Sequence, residues 1–295
     1  YQLHIDFDTP IFANAAVVSK DVCQVEHKTS GRNKTYKNFD EFSNWLNLPE
    51  NFMYKLSDFN IPVIGFAIYG LNKQLKEMVS HGWVGDYTLY VGGDTNFRKD
   101  LYPDYKGNRA KSPAMRKVLF NYVVSKYKDK VVVSDGEEAE DACLSKVLED
   151  IDSNVCGYCD KDLTTQSAYF FNYKKQEKGV FFIDEKKAFF NLCCQLLHGD
   201  RATDNIRGID FVSKDLKDKF GIGSKSIGES TAEKLLDDVK HDVSLMKERI
   251  VDIYQLSFGD CWKENLQFTG SLVFISKRQR EYFDVEIFLK GVEYE

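Results

Sequence analysis

The chain has 295 residues, of which 43% are hydrophobic and 29% charged, and its formal net charge is −6. That composition excludes a disordered or fibrous protein and allows one large core or two small ones. The longest uncharged apolar run, Ile61 to Leu71, is far short of the roughly 20 residues a membrane-spanning helix needs. With no basic, apolar leader at its start, a cytoplasmic protein without membrane contact is expected.

In chain order, Leu3-His4-Ile5 predicts a short buried strand ending in Asp6-Phe7-Asp8, and Ile11 to Ser19 the start of a helix. Ser30 to Lys37 is polar and basic, a loop or surface hairpin. Phe39, Phe42, Trp45 and Leu46 have helical spacing within Asn38 to Leu48, and a further helix covers Ile64 to Val79, stopped by His81-Gly82. Tyr87 to Val91 and Val131 to Val133 read as strands, the first broken by Gly92-Gly93. An acidic helix follows from Glu137 to Leu148, its stripe of Ala139, Cys143, Val147 and Ile151 leaving Glu138 and Asp141 on another face. Val155 to Tyr158 is one more strand. The alternation predicts an α/β fold with a mainly parallel sheet between helices. Arg201 to Gly228, richer in Gly, Ser and Lys, reads as an appended lobe.

The seven cysteines have no second CxxC beside Cys156 and Cys159, so reduced thiols are expected rather than a zinc site. Charge is unevenly spread. Arg98 to Lys130 holds ten Lys or Arg against three acids, whereas Asp135 to Asp152 holds eight acids against one Lys. A chain that binds cations with acids and phosphates with bases would look like this.

The acids fall where strands or helices end: Asp6 and Asp8, Asp94, then Glu138, Glu140 and Asp141, then Asp160 and Asp162, then Asp200 and Asp204. Active sites of open parallel sheets lie beyond the strands' carboxyl ends. Asp160 and Asp162, two apart in an extended segment, share a face. Singly, each group reads as a solvated face or a helix cap. Together they would repel one another unless cations neutralised them, and hard oxygen donors favour Mg²⁺ or Mn²⁺. With the basic block between them, they point to a metal-dependent phosphoryl-transfer site.

At these residues the chain resembles the 5′-nuclease superfamily: flap endonucleases, the 5′-nuclease domain of bacterial DNA polymerase I, and phage 5′-exonucleases. His4-Ile5-Asp6-Phe7-Asp8 resembles its first strand, with Asp6 in the metal-binding place. The run from Gly93 to Arg109 is the most specific match, with an Asp, a Phe-Arg pair and a Tyr-Lys-x-Asn-Arg block that leads into a helical arch. It makes Asp94 a metal ligand, Lys106 and Arg109 catalytic cations at the phosphate, and Arg98, Tyr105 and Lys111 further DNA contacts, Tyr105 by base stacking. Gly136 to Ala142 resembles a Glu-Ala-Asp-Asp segment, with Glu140 where Asp is usual. Cys159 to Leu163 fits an Asp-x-Asp pair. His198 to Ile209 fits a Gly-Asp-x-x-Asp-Asn segment with one residue too many between Asp200 and Asp204. Ser226 to Leu236 resembles the second half of a DNA-gripping helix-hairpin-helix, with Gly221-Ile222-Gly223 as a rival register and an insertion before it. The C-terminal stretch, with Arg278-Gln279-Arg280, is most similar to that of small phage exonucleases.

The resemblance implies one 5′-nuclease domain over 1–295. Its parts are a core over 1–198 with an arch at about 98–130, a helix-hairpin-helix lobe over 199–260, and a segment over 261–295 packed on the core. It implies a monomer that uses two Mg²⁺ (or Mn²⁺), and a K⁺ near Gly228, to hydrolyse phosphodiesters near DNA 5′ ends, flaps or forks. Whether RNA–DNA hybrids are also cut stays open, and a phage source would place it in the bacterial host cytoplasm. Two other readings stay open: a PIN-type ribonuclease, and an inactive DNA-junction binder suggested by Glu140 and the Asp200–Asp204 spacing.

Overall fold

Leu3, His4 and Ile5 are each at most 1% exposed in β1 (Gln2–Asp6), burial on both faces that only a strand between two layers has. In the computed structural model the described residues are 1–18, 23–36, 39–46, 52–81, 85–113, 115–275 and 282–291. The far ends of the helices expected at Ile11–Ser19 and Asn38–Leu48, residue Lys37, and Arg278-Gln279-Arg280 lie outside them.

From β1 the chain turns into α1 (Asp8–Val18). A small antiparallel sheet follows, made of β2 (Cys23–His27), β3 (Asn33–Tyr36) and, past α2 (Phe39–Leu46) and α3 (Phe52–Asp58), β4 (Phe59–Asn60). The expected hairpin around Ser30 is thus present, joined by strands the sequence did not signal. α4 (Pro62–His81) opens on a proline, whose missing N–H is harmless in a first turn. It buries Val63, Ile64, Ala67, Leu71, Leu75 and Met78, one apolar stripe.

β5 (Asp86–Asn96) returns parallel to β1. Beyond it come α5 (Phe97–Leu101), α6 (Met115–Lys126) and β6 (Val131–Gly136), then α7 (Ala139–Leu148) and β7 (Asn154–Tyr158) on the other side of β1. β8 (Ala168–Asn172) and β9 (Val180–Ile183), both unforeseen, complete the order β6-β5-β1-β7-β8-β9, parallel except for the β8–β9 pair. The mainly parallel α/β sheet is therefore as expected. Because the chain builds outward from β1 through β5 to β6 and then resumes at β7, the order reverses between β1 and β7. Such a reversal opens a crevice at the strands' carboxyl ends.

One face of the sheet packs on α1, α4 and α6, through Leu3, Ile5, Leu89, Val91, Val155 and Phe171. The other packs on α7, through Tyr90, Cys156, Tyr158 and Phe170. A third cluster joins α8 (Glu185–His198), α9 (Lys214–Phe220), α10 (Glu229–Leu236), α11 (Val243–Phe258), α12 (Trp262–Val273) and α13 (Val285–Leu289), with the short pair β10 (Gly199–Asp200) and β11 (Ile206–Arg207) at its edge.

The expected arch over 98–130 is corrected in its second half. Met115, Val118, Leu119, Tyr122 and Val123 of α6 are buried against the core, Lys117 and Lys126 are exposed, and Arg116 turns toward Asp8. No disulfide joins the described cysteines. Among the described residues no helix is long and apolar enough to cross a membrane.

Candidate active site

Asp6 ends β1 and Asp160 follows β7, so both stand at the crevice where the strand order reverses. Asp6 is 6% exposed and accepts the Asp8 N–H at 3.3 Å, while its carbonyl accepts the Tyr173 hydroxyl. Asp160 differs from the extended pair expected with Asp162. It caps a short 3-10 turn over Lys161–Thr165 by accepting the Asp162 N–H at 3.2 Å. Asp162 in turn accepts the Gln195 side-chain amide of α8 at 2.6 Å. Asp200, in β10, closes a turn by accepting the Thr203 N–H. Glu138 immediately precedes α7, and Glu140 and Asp141 lie in its first turn.

Cations divide these acids into two sets. Glu138 takes the Lys106 ammonium, the Tyr105 hydroxyl at 2.9 Å and the Asn96 amide at 2.9 Å, with Arg98 3.7 Å away. Burial by itself would raise its carboxyl, but Lys106 and Arg98 hold it well below the usual range. Asp141 is fully buried and takes Arg98 bidentately at 2.5 and 2.9 Å. Asp204 takes Arg109, with Lys106 at 3.8 Å and the Tyr105 hydroxyl at 2.9 Å. Burial nevertheless leaves it above its ordinary value, against the pull of Lys106 and Arg109.

The second set has far less compensation. Burial, with Asp8 and Asp160 adding to it, pushes Asp6 up to about 7. Burial, followed by Asp160, Asp200 and Asp204, pushes Asp162 up to about 8. Burial and the Glu138 charge drive Glu140 well above the carboxylate range. Burial also raises Asp8, against the pull of Arg116 and of the Gly92 N–H. One repulsive field thus runs from β1 through β7 to β10.

Two turns hold the cations against it. Lys106 is left-handed (φ 59°), as is Asn205 (φ 59°), and the Lys106 N–H donates to the Asp204 carbonyl at 2.9 Å. The Asn108 amide donates to the Arg201 carbonyl and to the Asn205 side chain, each at 3.0 Å, and the Asn205 amide donates to the Asp104 carbonyl at 3.0 Å. Arg109 Nε donates to the Thr203 carbonyl at 3.2 Å. The 104–109 and 200–205 turns are clasped together.

Two expected DNA contacts are corrected. Arg98 is 0% exposed, its guanidinium held by Asp141 and by the Leu272 and Phe274 carbonyls, so no phosphate reaches it. Tyr105 is 4% exposed, its hydroxyl between Glu138 and Asp204, so it has no free face for a base. Asp141, expected as a metal ligand, is instead a buried partner of Arg98 and accepts the Glu138 N–H at 3.2 Å, which closes the helix's first turn. Asp94 is exposed and is not among the charges that chiefly act on Asp6, Asp8 or Glu140. Asp8, left out of the expected ligand set, sits inside the field. Its position after β1 was the available signal.

Lys111 is exposed beyond the clasp. Gly228 is exposed and caps α10; the loop before it, after α9 ends at left-handed Gly221, is pinned by Ile227 N–H to the Ile209 carbonyl at 3.0 Å. α9 occupies part of the stretch between Ile209 and Ile227.

Asp6, Asp8, Glu140, Asp160, Asp162 and Asp200 are hard oxygen donors, and buried Asp8 Oδ1 has no hydrogen-bond partner. In donor chemistry they fit a divalent cation such as Mg²⁺ or Mn²⁺. Among the described residues no three acids, histidines or cysteines already stand in metal-holding geometry. Burial favours the protonated forms of Asp6, Asp8, Glu140 and Asp162 instead.

No family model matches the chain, and no curated protein matches its sequence. Among solved structures it is similar to bacteriophage T5 5′-exonuclease with bound zinc ions, at 14% identity and a TM-score of 0.40, over 92% of this chain and 99% of that one. It is also similar to the bacteriophage T5 flap endonuclease in a product complex with DNA and metal ions, at 16% identity and a TM-score of 0.36, over 70% of this chain and 91% of that one.

Proposed function

We propose that the chain is a divalent-metal-dependent 5′-nuclease of the 5′-nuclease superfamily, acting on DNA as a 5′–3′ exonuclease with flap cleavage second. The observation that carries this is the uncompensated carboxylate field at the carboxyl ends of β1 and β7, with Lys106 and Arg109 clasped at its edge. Asp6, Glu140, Asp160, Asp162 and Asp200 would hold two Mg²⁺ or Mn²⁺ ions, with Glu138 and Asp204 beside them. The ions, when bound, activate a water and stabilise the leaving oxygen.

The chain's own side chains do the rest. Once the acids are neutralised, the Lys106 ammonium and Arg109 guanidinium are free to turn to the scissile phosphate, where they offset the charge that develops. Exposed Lys111 and the backbone around Gly228 take neighbouring phosphates without reading bases, and K⁺ is the ion we assign to that loop. All these groups belong to one chain, so a monomer suffices.

With Mg²⁺, a 5′-labelled flap substrate should yield mainly mononucleotides, and Asp160→Ala should lower the rate by at least about 100-fold. Full activity in Asp160→Ala, or cleavage of single-stranded RNA but not of DNA ends, would refute the reading. The lack of ready-made metal geometry favours one rival, an inactive junction binder. Binding of forked DNA without cleavage in either Mg²⁺ or Mn²⁺ would establish it.

A further inference from the structure

Resting on that metal-dependent reading, we propose that Asp8, and not Asp94, is the carboxylate that joins Asp6 in holding a divalent cation. The shape of β5 is the first reason. Its pairing with β6 is regular from Leu89 to Gly92, shifts, and resumes only at Asn96. Thr95 is drawn to the end of β6, donating to the Asp135 carboxylate and accepting the Gly136 N–H at 2.8 Å. Asp94 lies within this irregular stretch and is exposed.

The second reason is the seat of Asp8. Asp8 Oδ2 accepts the Gly92 N–H at 3.2 Å, which sets the carboxylate over the end of β5. A Cβ on Gly92 would stand 2.7 Å from Asp8 Oδ2, so only glycine admits this approach. The Phe7 N–H donates to the Tyr90 carbonyl at 2.9 Å, which fixes the turn that brings Asp8 alongside Asp6. The third reason is the orphaned acceptor. Asp8 Oδ1 is buried with no hydrogen-bond donor, and Arg116 approaches it only to 3.7 Å. A buried carboxylate oxygen without a donor is costly, and a hard cation removes that cost.

The test is Mn²⁺ binding to the DNA-free protein, read from the electron paramagnetic resonance signal of free Mn²⁺, for the parent, Asp8→Asn, Asp94→Asn and Gly92→Ala. Asparagine keeps the oxygen that accepts the Gly92 N–H, and the unfolding midpoint in EDTA checks that each variant is folded. We expect Asp8→Asn to weaken Mn²⁺ binding by about tenfold or more, and Gly92→Ala to weaken it too by displacing the carboxylate. Asp94→Asn should stay within about twofold of the parent, as suits an exposed acid. Parent-like binding in Asp8→Asn, or a larger loss in Asp94→Asn, would overturn the assignment and leave the nuclease reading standing. A parent that binds no Mn²⁺ would overturn both.

Discussion

Arg98 donates through Nε and both terminal nitrogens to Asp141 and to the Leu272 and Phe274 carbonyls, and no part of it reaches solvent. A buried pair adds little net stability compared with a well-packed apolar pair, but removing one partner strands a charge and costs about 3–5 kcal/mol. Arg98→Met should therefore lower the denaturant-unfolding free energy by that amount, as Asp141 and two carbonyls lose their donors. A loss under about 1 kcal/mol would contradict the burial described. None of this was legible beforehand. An arginine within a basic stretch reads as a solvent-facing phosphate contact, and its burial depends on carbonyls more than 170 residues away. Tyr105 misled in the same way, because its partners Glu138 and Asp204 come from α7's start and from the 200–205 turn. Asp6 and Asp160 were legible, since a strand that ends in an acid carries its placement locally.

Among the elements, α6 departs most from expectation. Ten basic residues from Arg98 to Lys130 dominate the eye, yet the spacing of Met115, Val118, Leu119, Tyr122 and Val123 decides which face the helix buries. A helix packed this way stays closed to protease. Trypsin in limiting amount should leave the Lys117 and Lys126 bonds of the DNA-free protein intact, and Leu119→Ala should expose them while costing about 2–5 kcal/mol. Rapid cutting at both lysines in the parent would instead mean an arch free of the core. β8 and β9 went unseen because Ala168–Asn172 and Val180–Ile183 are short apolar runs, for which periodicity does not separate strand from helix. α4 was readable because its apolar stripe is long, whereas α7 stops at Leu148 and leaves Ile151 of the expected stripe exposed beyond it.

Taken whole, the molecule gathers acids whose protonated forms are favoured by folding. Asp6 at about 7 and Asp162 at about 8 keep protons that an unfolded chain, titrating near 4, has already lost. At these two acids the folded state binds more protons over that interval, so they lower stability as pH rises from about 5 to 8, while buried His4 and half-buried His198, whose values burial lowers, act the other way. In EDTA the thermal midpoint should decline across that window, and millimolar Mg²⁺ or Mn²⁺ should flatten the decline. A midpoint that rises through the same window would mean that the lowered histidines outweigh these acids. The mainly parallel character of the sheet was visible in the sequence, but its strand order was not. Nor was the closeness of Asp8 to Gly92, because 84 residues and a bulged strand separate cause from effect.

The bonds from Arg98 to the end of α12 make the molecule's late segments a buttress for its early ones. A shortened protein stopping before Trp262 would keep every acid discussed above and still lose the anchor of Arg98, then the seat of Asp141, then the opening turn of α7 that presents Glu138 and Glu140. Trimming the polypeptide from its far end is thus equivalent to loosening the crevice from behind.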